Sequence, residues 1–187
     1  FSADALRFSL IMITATGQDV YLSKDKFEIG RNFGTKLWNA ARFMTMQEEN
    51  GGMRRSANCG VSDFSSVQLS PDDKHIIMRL ADAIAAVTDN IDKYRFNDAA
   101  HALYEFMWHQ FCDWYVEYAK DVFGGGDEAA KQRTIDIMHH VFSTSLLLLH
   151  PIMPFITEEL WHVMGYAGAG DGAENMIMKT RWPEPAG

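Results

Sequence analysis

From Leu146 to Met164 four leucines run into His150-Pro151, a second proline follows at 154, and Phe155, Ile156, Leu160 and Val163 or Met164 then recur at helical spacing. Pro151 lacks an N–H and turns His150 away from helical geometry, whereas Pro154 suits the first turn of a new helix, where the missing donor has no partner anyway. The pattern predicts a helix ending near His150, a corner, and a second helix starting near Pro154. Glu158 and Glu159 lie early in that helix, where carboxylates suit its dipole, and Gly165 is placed to cap its end. A corner this apolar needs a wall of other helices around it.

The rest of the chain supplies them. Asp4 to about Ala15 is dense in apolar residues, with Ser2 or Asp4 as a cap, and reads as a short, largely buried helix. Lys26 to Met46 is the most legible. At about 100° per residue Phe27, Gly30, Phe33, Gly34, Leu37, Trp38, Ala41 and Met44 fall on one side, and Glu28, Arg31, Asn32, Thr35, Lys36, Asn39, Arg42 and Phe43 on the other. Gly30 and Gly34 each cost about 1 kcal/mol of helix propensity, which points to a close helix contact there. The opposite face carries bases, amides and one phenylalanine, Phe43, expected to be exposed.

Ser70-Pro71-Asp72-Asp73 resembles a capping box with Asp in place of Glu, and Ile77, Leu80, Ile84, Val87, Ile91 and Tyr94 form a bundle seam behind it. Asn97 is the expected cap of a central helix to about Lys120, whose Leu103, Phe106, Met107, Trp108, Phe111, Trp114, Tyr115 and Tyr118 wrap more than half its circumference. Gly124 to Gly126 breaks it, and Glu128 to Leu149 resumes. The expectation is an all-α helix bundle: 1–165 the helical domain, with 47–69 a surface loop or insertion, and 166–187 a loop and short extended tail, Met176 to Trp182, packed on the bundle by Trp182-Pro183.

At 187 residues and 47% apolar the chain has material for a sizeable core. No run approaches the roughly 20 apolar residues of a membrane span, no leader pattern occurs, and no methionine opens the chain, which reads as a piece of a longer soluble protein. Cys59 and Cys112 lie far apart, so a reducing compartment, the cytoplasm, is expected. The net charge of -8 argues against a surface coated with phosphate contacts. Yet between Tyr21 and Gly60 seven bases face four acids, a local excess of three that leaves -11 for the remainder. A local basic element on an acidic body suits a nucleic-acid partner met at one place.

Three kinds of site compete. His101, Glu105 and His109, with Glu159-x-x-His162 and Asp136-x-x-His139, make a carboxylate-bridged metal centre conceivable, but such a centre wants two Glu-x-x-His motifs and only one is present. No nucleophile elbow or phosphate loop occurs. The polar face of the second helix remains. Arg31, Lys36 and Arg42 are placed to meet phosphates or base edges, Asn32 and Asn39 to hydrogen-bond bases, and Phe43 to stack an unpaired base. A solvated face, or a helical interaction module without RNA, is the plainer alternative.

Asp4-Ala-Leu-Arg-Phe8, Thr16-Gly-Gln-Asp-Val20, Gly30-Arg-Asn-Phe-Gly-Thr-Lys-Leu-Trp-Asn-Ala-Ala-Arg-Phe43, Phe111-Cys-Asp-Trp-Tyr-Val-Glu117 with Lys120, the His150 to Trp161 stretch and Trp182-Pro183 resemble, in that order, the anticodon-binding domain of the valyl-tRNA synthetase family. The resemblance implies a class I synthetase whose catalytic core, with its His-Ile-Gly-His and Lys-Met-Ser-Lys-Ser motifs, is not in this sequence. It implies a parent that ligates valine to tRNA with ATP and Mg²⁺, a chain with no catalytic residue, metal or cofactor of its own, and two partners: the anticodon stem-loop of a valine-accepting tRNA and the catalytic domain of the same polypeptide. The RNA contacts it favours are Arg31, Asn32, Lys36, Asn39, Arg42 and Phe43. The loop from Gly51 to Ser66, with Arg54 and Arg55, departs from the family pattern.

Overall fold

A computed structural model describes residues 2–14, 22–52, 64, 67–167 and 175–184. Arg54, Arg55, Cys59 and most of the 47–69 loop lie outside the described residues. The described chain is helical, and its longest elements pack around one core in which Phe8, Phe33, Phe111, Tyr115 and Phe142 are fully buried.

Helix α1 (Ala3–Ile13) is capped by Ser2, whose hydroxyl accepts from the Ala5 N–H. A 3-10 turn (Lys24–Phe27) leads into α2 (Glu28–Gly51), which ends at Gly52 in the left-handed conformation, φ 62°. The helix thus takes up the first five residues of the expected 47–69 loop. Glu48 at its end meets the buried His139, Nε2 to Oε1 3.0 Å.

Helix α1 holds two other helices by their ends. The first turn of a helix leaves N–H groups without intrahelical partners, and α1 supplies acceptors to both. Ser9 Oγ accepts from Gly30 N at 2.9 Å, and Asp4 Oδ2 accepts from Ile156 N at 2.7 Å. Asp4 is therefore a cap for the helix that begins at Pro154, not for its own helix, and Arg7 pairs with its other oxygen at 3.2 Å. Gly30 is required by proximity: a Cβ there would lie 2.2 Å from the Ala5 carbonyl oxygen. Close contact at Gly34 is milder, with Ile156 Cδ1 at 3.3 Å. Phe8 and Phe33 stack at 4.6 Å between the two helices.

Helix α3 (Pro71–Asp92) opens on the predicted capping box. Ser70 Oγ accepts from Asp73 N at 3.1 Å and Asp73 Oδ2 accepts from Ser70 N at 3.0 Å. The same fully buried carboxylate accepts from the Tyr115 hydroxyl at 2.7 Å and from Arg133 Nε at 2.8 Å, so one cap ties three helices together. Tyr94 is not part of the α3 seam: the helix ends at Asp92, and Tyr94 is 80% exposed at φ 57° in the turn that follows.

The central rod is continuous from Phe96 to Gly124, as α4 (Phe96–Tyr104), a π-helical stretch (Glu105–Tyr115) and α5 (Val116–Gly124). Asn97 does not cap it. Its amide donates to the carbonyls of Ile11 and Met12, both at 2.8 Å, and so closes the open end of α1. Asp127 caps α6 (Glu128–Leu149), the corner follows, and α7 (Pro154–Val163) starts on its proline. In the corner Ile152 N and Met153 N both donate to the Leu149 carbonyl at 2.9 Å, and His150 Nδ1 lies 2.8 Å from Thr157 Oγ1. Gly165 takes φ 68° just past α7, as expected of its cap. Phe155, expected on the apolar side, is exposed beneath the Arg7 guanidinium, 5.3 Å from the ring centroid. The tail forms a 3-10 turn (Ile177–Lys179) where an extended run was expected, and Trp182 Nε1 donates to Thr88 Oγ1 at 2.9 Å.

Candidate nucleic-acid interface

Two flanks of α2 are covered and one is open. Phe33, Leu37, Ala40, Ala41 and Met44 are buried, while Glu28, Arg31, Asn32, Thr35, Trp38, Asn39, Arg42 and Met46 are exposed. At helical spacing the polar residues fall into two neighbouring stripes. Arg31, Thr35, Trp38 and Arg42 form the outer one. Asn32, Lys36, Asn39 and Phe43 run along the flank that meets the central rod.

The expected exposure of the two aromatics is reversed. Phe43 is half-buried, its ring 6.1 Å from that of Phe123 on α5, so it is not a protruding stacking group. Trp38, read as core, is 41% exposed. Together with Arg31, Thr35, Gly30, Gly34, Ser2, Asp4, Met153 and Ile156 it borders an open groove of about 430 Å³ between α1, α2 and α7. Both aromatics sit at edges of the apolar arc, and only the Phe43 edge has a helix to cover it.

The polar groups differ in what they touch. Arg31 Nη2 pairs with Glu28 Oε1 at 3.1 Å, both half-exposed, an arrangement worth little to stability. Asn32, Asn39 and Arg42 form no hydrogen bond or ion pair among the described residues, so their donors point to solvent. Lys36 Nζ donates to Asp113 Oδ1 at 2.6 Å and lies 4.9 Å from the centroid of Trp108. Trp108 stacks on Tyr104 at 5.2 Å, and Tyr104 meets Phe33 in a tilted contact at 5.3 Å. His109 Nδ1 reaches Asp113 Oδ2 at 3.2 Å. The Lys36 hydrogen bond holds the Asp113 carboxyl below the usual carboxylate range, against a desolvation cost, with the Lys36 charge and His109 adding to it. Burial pushes the Tyr104 phenol up.

Sequence reading had found Lys36 but not its partners. His109 stood out only as a candidate metal ligand and Asp113 only within the Phe111 to Glu117 stretch, 77 residues from Lys36, and only the packing of the rod on α2 brings them there. The residues of the alternative metal reading are scattered: His101 Nε2 lies 3.1 Å from the Met12 carbonyl, His139 lies between Glu48 and Tyr166, and His162 pairs with Glu158. Among the described residues no three candidate ligands converge.

Cys112 is buried beside this cluster. Burial pushes its thiol up to about 12, while Lys36 and Asp113 pull in opposite directions. Only the thiolate attacks alkylating reagents, and at pH 8 a thiol titrating near 12 is ionised in about one molecule in ten thousand. Peptide mapping after iodoacetamide treatment at pH 8 should find Cys112 labelled in the denatured protein and unlabelled in the native one; rapid native labelling would contradict its burial.

The chain belongs to the family described as the anticodon-binding domain of tRNA ligase, which it matches over residues 73–187. It is 42% identical over 99% of its length to valine–tRNA ligase of Agrobacterium fabrum, 43% over 99% to that of Mesorhizobium japonicum and 40% over 98% to that of Clostridium tetani. It spans 18 to 19% of the length of these relatives. Its fold is shared with a leucyl enzyme, the Agrobacterium radiobacter K84 agnB2 LeuRS of a ternary complex with tRNA and LeuAMS, at TM-score 0.71 and 18% identity over 98% of this chain and 19% of that one. Helix α2 precedes the matched family region but lies within the stretch shared with the valine–tRNA ligases.

Proposed function

We propose that this chain is the helical domain with which a valine–tRNA ligase holds the anticodon stem-loop of its tRNA. The observation that carries this reading is identity above 40% to valine–tRNA ligases across 99% of the chain. The parent would ligate valine to tRNA with ATP and Mg²⁺ in the cytoplasm through a catalytic domain elsewhere in the same polypeptide, and this chain alone would be inactive. Among the described residues no helix is long and apolar enough to cross a membrane.

The α2 face is the RNA contact in this reading. Arg31 and Arg42 meet phosphates, Asn32 and Asn39 offer amides to base edges, Lys36 adds a charge at the flank, and Phe43 supports the flank through Phe123, leaving only its rim for a base. Trp38 is the open aromatic of the same helix. Stacking on an aromatic of this kind is worth about 1 to 3 kcal/mol per base.

Titration with the anticodon stem-loop of a valine tRNA, beside a loop with changed anticodon bases, tests the reading. Tighter binding of the unchanged loop is expected. Arg42→Ala should weaken it several-fold and reduce the log–log salt slope by roughly 0.7 to 0.9, as for one lost phosphate contact. Asn39→Ala should narrow the gap between the two loops. Equal affinity for both loops would overturn anticodon recognition and favour a module that serves only to pack against other protein.

A further inference from the structure

The Lys36 cluster has a property that Asn32, Asn39 and Arg42 lack. Arg42, Asn32 and Asn39 present their donors to solvent, but the Lys36 ammonium is already occupied: Asp113 accepts from it at 2.6 Å and the Trp108 ring lies beneath it at 4.9 Å. Neither partner is buried deeply enough for the pair to be a core element. The Lys36 and Asp113 side chains are 31% and 42% exposed, so a phosphate can reach both.

Asp113 is itself fixed. His109, one helical turn away on the π-helical stretch, reaches its second oxygen at 3.2 Å, and Glu105 lies 3.9 Å from the other nitrogen of His109. The carboxylate is therefore held towards α2 from both sides. An anion approaching this flank meets Asp113 and Glu105 before it meets an unpaired Lys36 charge, and must displace a carboxylate to reach the ammonium. A loosely held strand gains nothing by doing so, because it exchanges one charge-assisted hydrogen bond for another and adds repulsion by two acids. A loop already fixed by base contacts to Asn32 and Asn39 and a phosphate contact to Arg42 has its next phosphates placed beside Lys36 and loses little further freedom in the exchange.

We propose that Asp113 is a specificity-determining residue of the RNA face: it neutralises Lys36 in the free protein, so that this lysine contributes to binding only a correctly seated loop. The inference rests on the anticodon-loop reading for the identity of that loop, and the lock itself is a matter of Lys36, Asp113 and any polyanionic strand. π-helical turns recur at functional sites, and here the turn carries Trp108, His109 and Asp113 to the flank of α2.

The test compares wild type, K36M, D113N and the double variant K36M/D113N, each checked by circular dichroism, against the valine anticodon stem-loop and against an unrelated single-stranded RNA over a range of salt. K36M should weaken the stem-loop and leave the unrelated strand unchanged. D113N keeps the side chain's size but removes its charge, and should raise affinity for the unrelated strand by about two- to fivefold, the range an exposed ion pair is worth. Its salt slope should steepen by roughly 0.7, one phosphate contact on a single strand, and the double variant should lose both changes. D113N binding the unrelated strand no better than wild type, or a gain that survives in the double variant, overturns the lock. Because that arm uses no anticodon, it decides the lock even where wild type fails to distinguish the two loops and the anticodon reading falls.

Discussion

Replacing Asp73 by alanine is expected to cost about 3 kcal/mol and to lower the melting temperature by roughly 10 °C, at about 2 to 4 °C per kcal/mol for a chain of this size. The carboxylate is fully buried and accepts from Ser70 N, the Tyr115 hydroxyl and Arg133 Nε. Its removal takes away one half of a helix cap, leaves a buried phenol without an acceptor, and strands a guanidinium whose side chain is mostly covered. Burial, and then the neighbouring Asp73 charge and hydrogen bond, push the Tyr115 phenol far up, so it stays a neutral donor throughout the working pH range. Asp73→Asn should fall between wild type and alanine, since it keeps an acceptor for Tyr115 and loses the charge facing Arg133. A drop of less than about 3 °C for the alanine variant, by thermal denaturation followed at 222 nm, would show that the three helices do not depend on this one side chain.

The second large effect is expected from a change that ordinarily stabilises. Gly→Ala within a helix gains about 1 kcal/mol of propensity. At Gly30 the sign should reverse, because the added Cβ would lie 2.2 Å from the Ala5 carbonyl oxygen, an atom of a helix backbone that cannot move by itself. Relief requires α1 to shift as a body, at a cost of about 3 kcal/mol in overpacking, and the shift would break the Ser9 cap on Gly30 N and strain the Asp4 cap on Ile156 N. Gly34→Ala is the control. Its new methyl would meet the ends of two side chains, Ile156 Cδ1 at 3.3 Å and Met153 Cε at 3.9 Å, and a rotamer change of Ile156 relieves the closer one, so that variant should be near neutral. Equal stability of the two variants in urea unfolding would refute the close approach at Gly30.

Elements governed by local chemistry were legible in the sequence. The Ser70–Asp73 box, the break at Gly124 to Gly126 and the corner from Leu149 to Pro154 depend on residues within a few positions of one another, and each lies where the pattern put it. What escaped depended on distant partners. Asn97 and Asp4 have the chemistry of caps for their own helices, yet they serve helix ends 85 to 152 residues away. Periodicity put Trp38 on the apolar side and Phe43 on the polar one; both lie at margins of the buried arc, and only the packing of another helix decides which margin is covered. The π-helical stretch was hidden for a related reason: eight large apolar residues wrapping the rod are read as one broad buried face, and a widened turn looks the same as a central helix. At the candidate interface the donors of α2 were visible in the sequence. The carboxylate that quiets one of them was not, because nothing near Asp113 in the chain names Lys36.

The caps that α1 provides have a consequence for the order in which the chain becomes structured. Asp4 leaves the ribosome 152 residues ahead of Ile156, whose N–H it binds. At about 5 to 20 residues per second, roughly 8 to 30 s pass between the two. Throughout that interval α1 can rest on α2 through Ser9 and Gly30 while Asp4 holds only the Arg7 beside it, and the docking of α7 is the event that fills the other carboxylate oxygen.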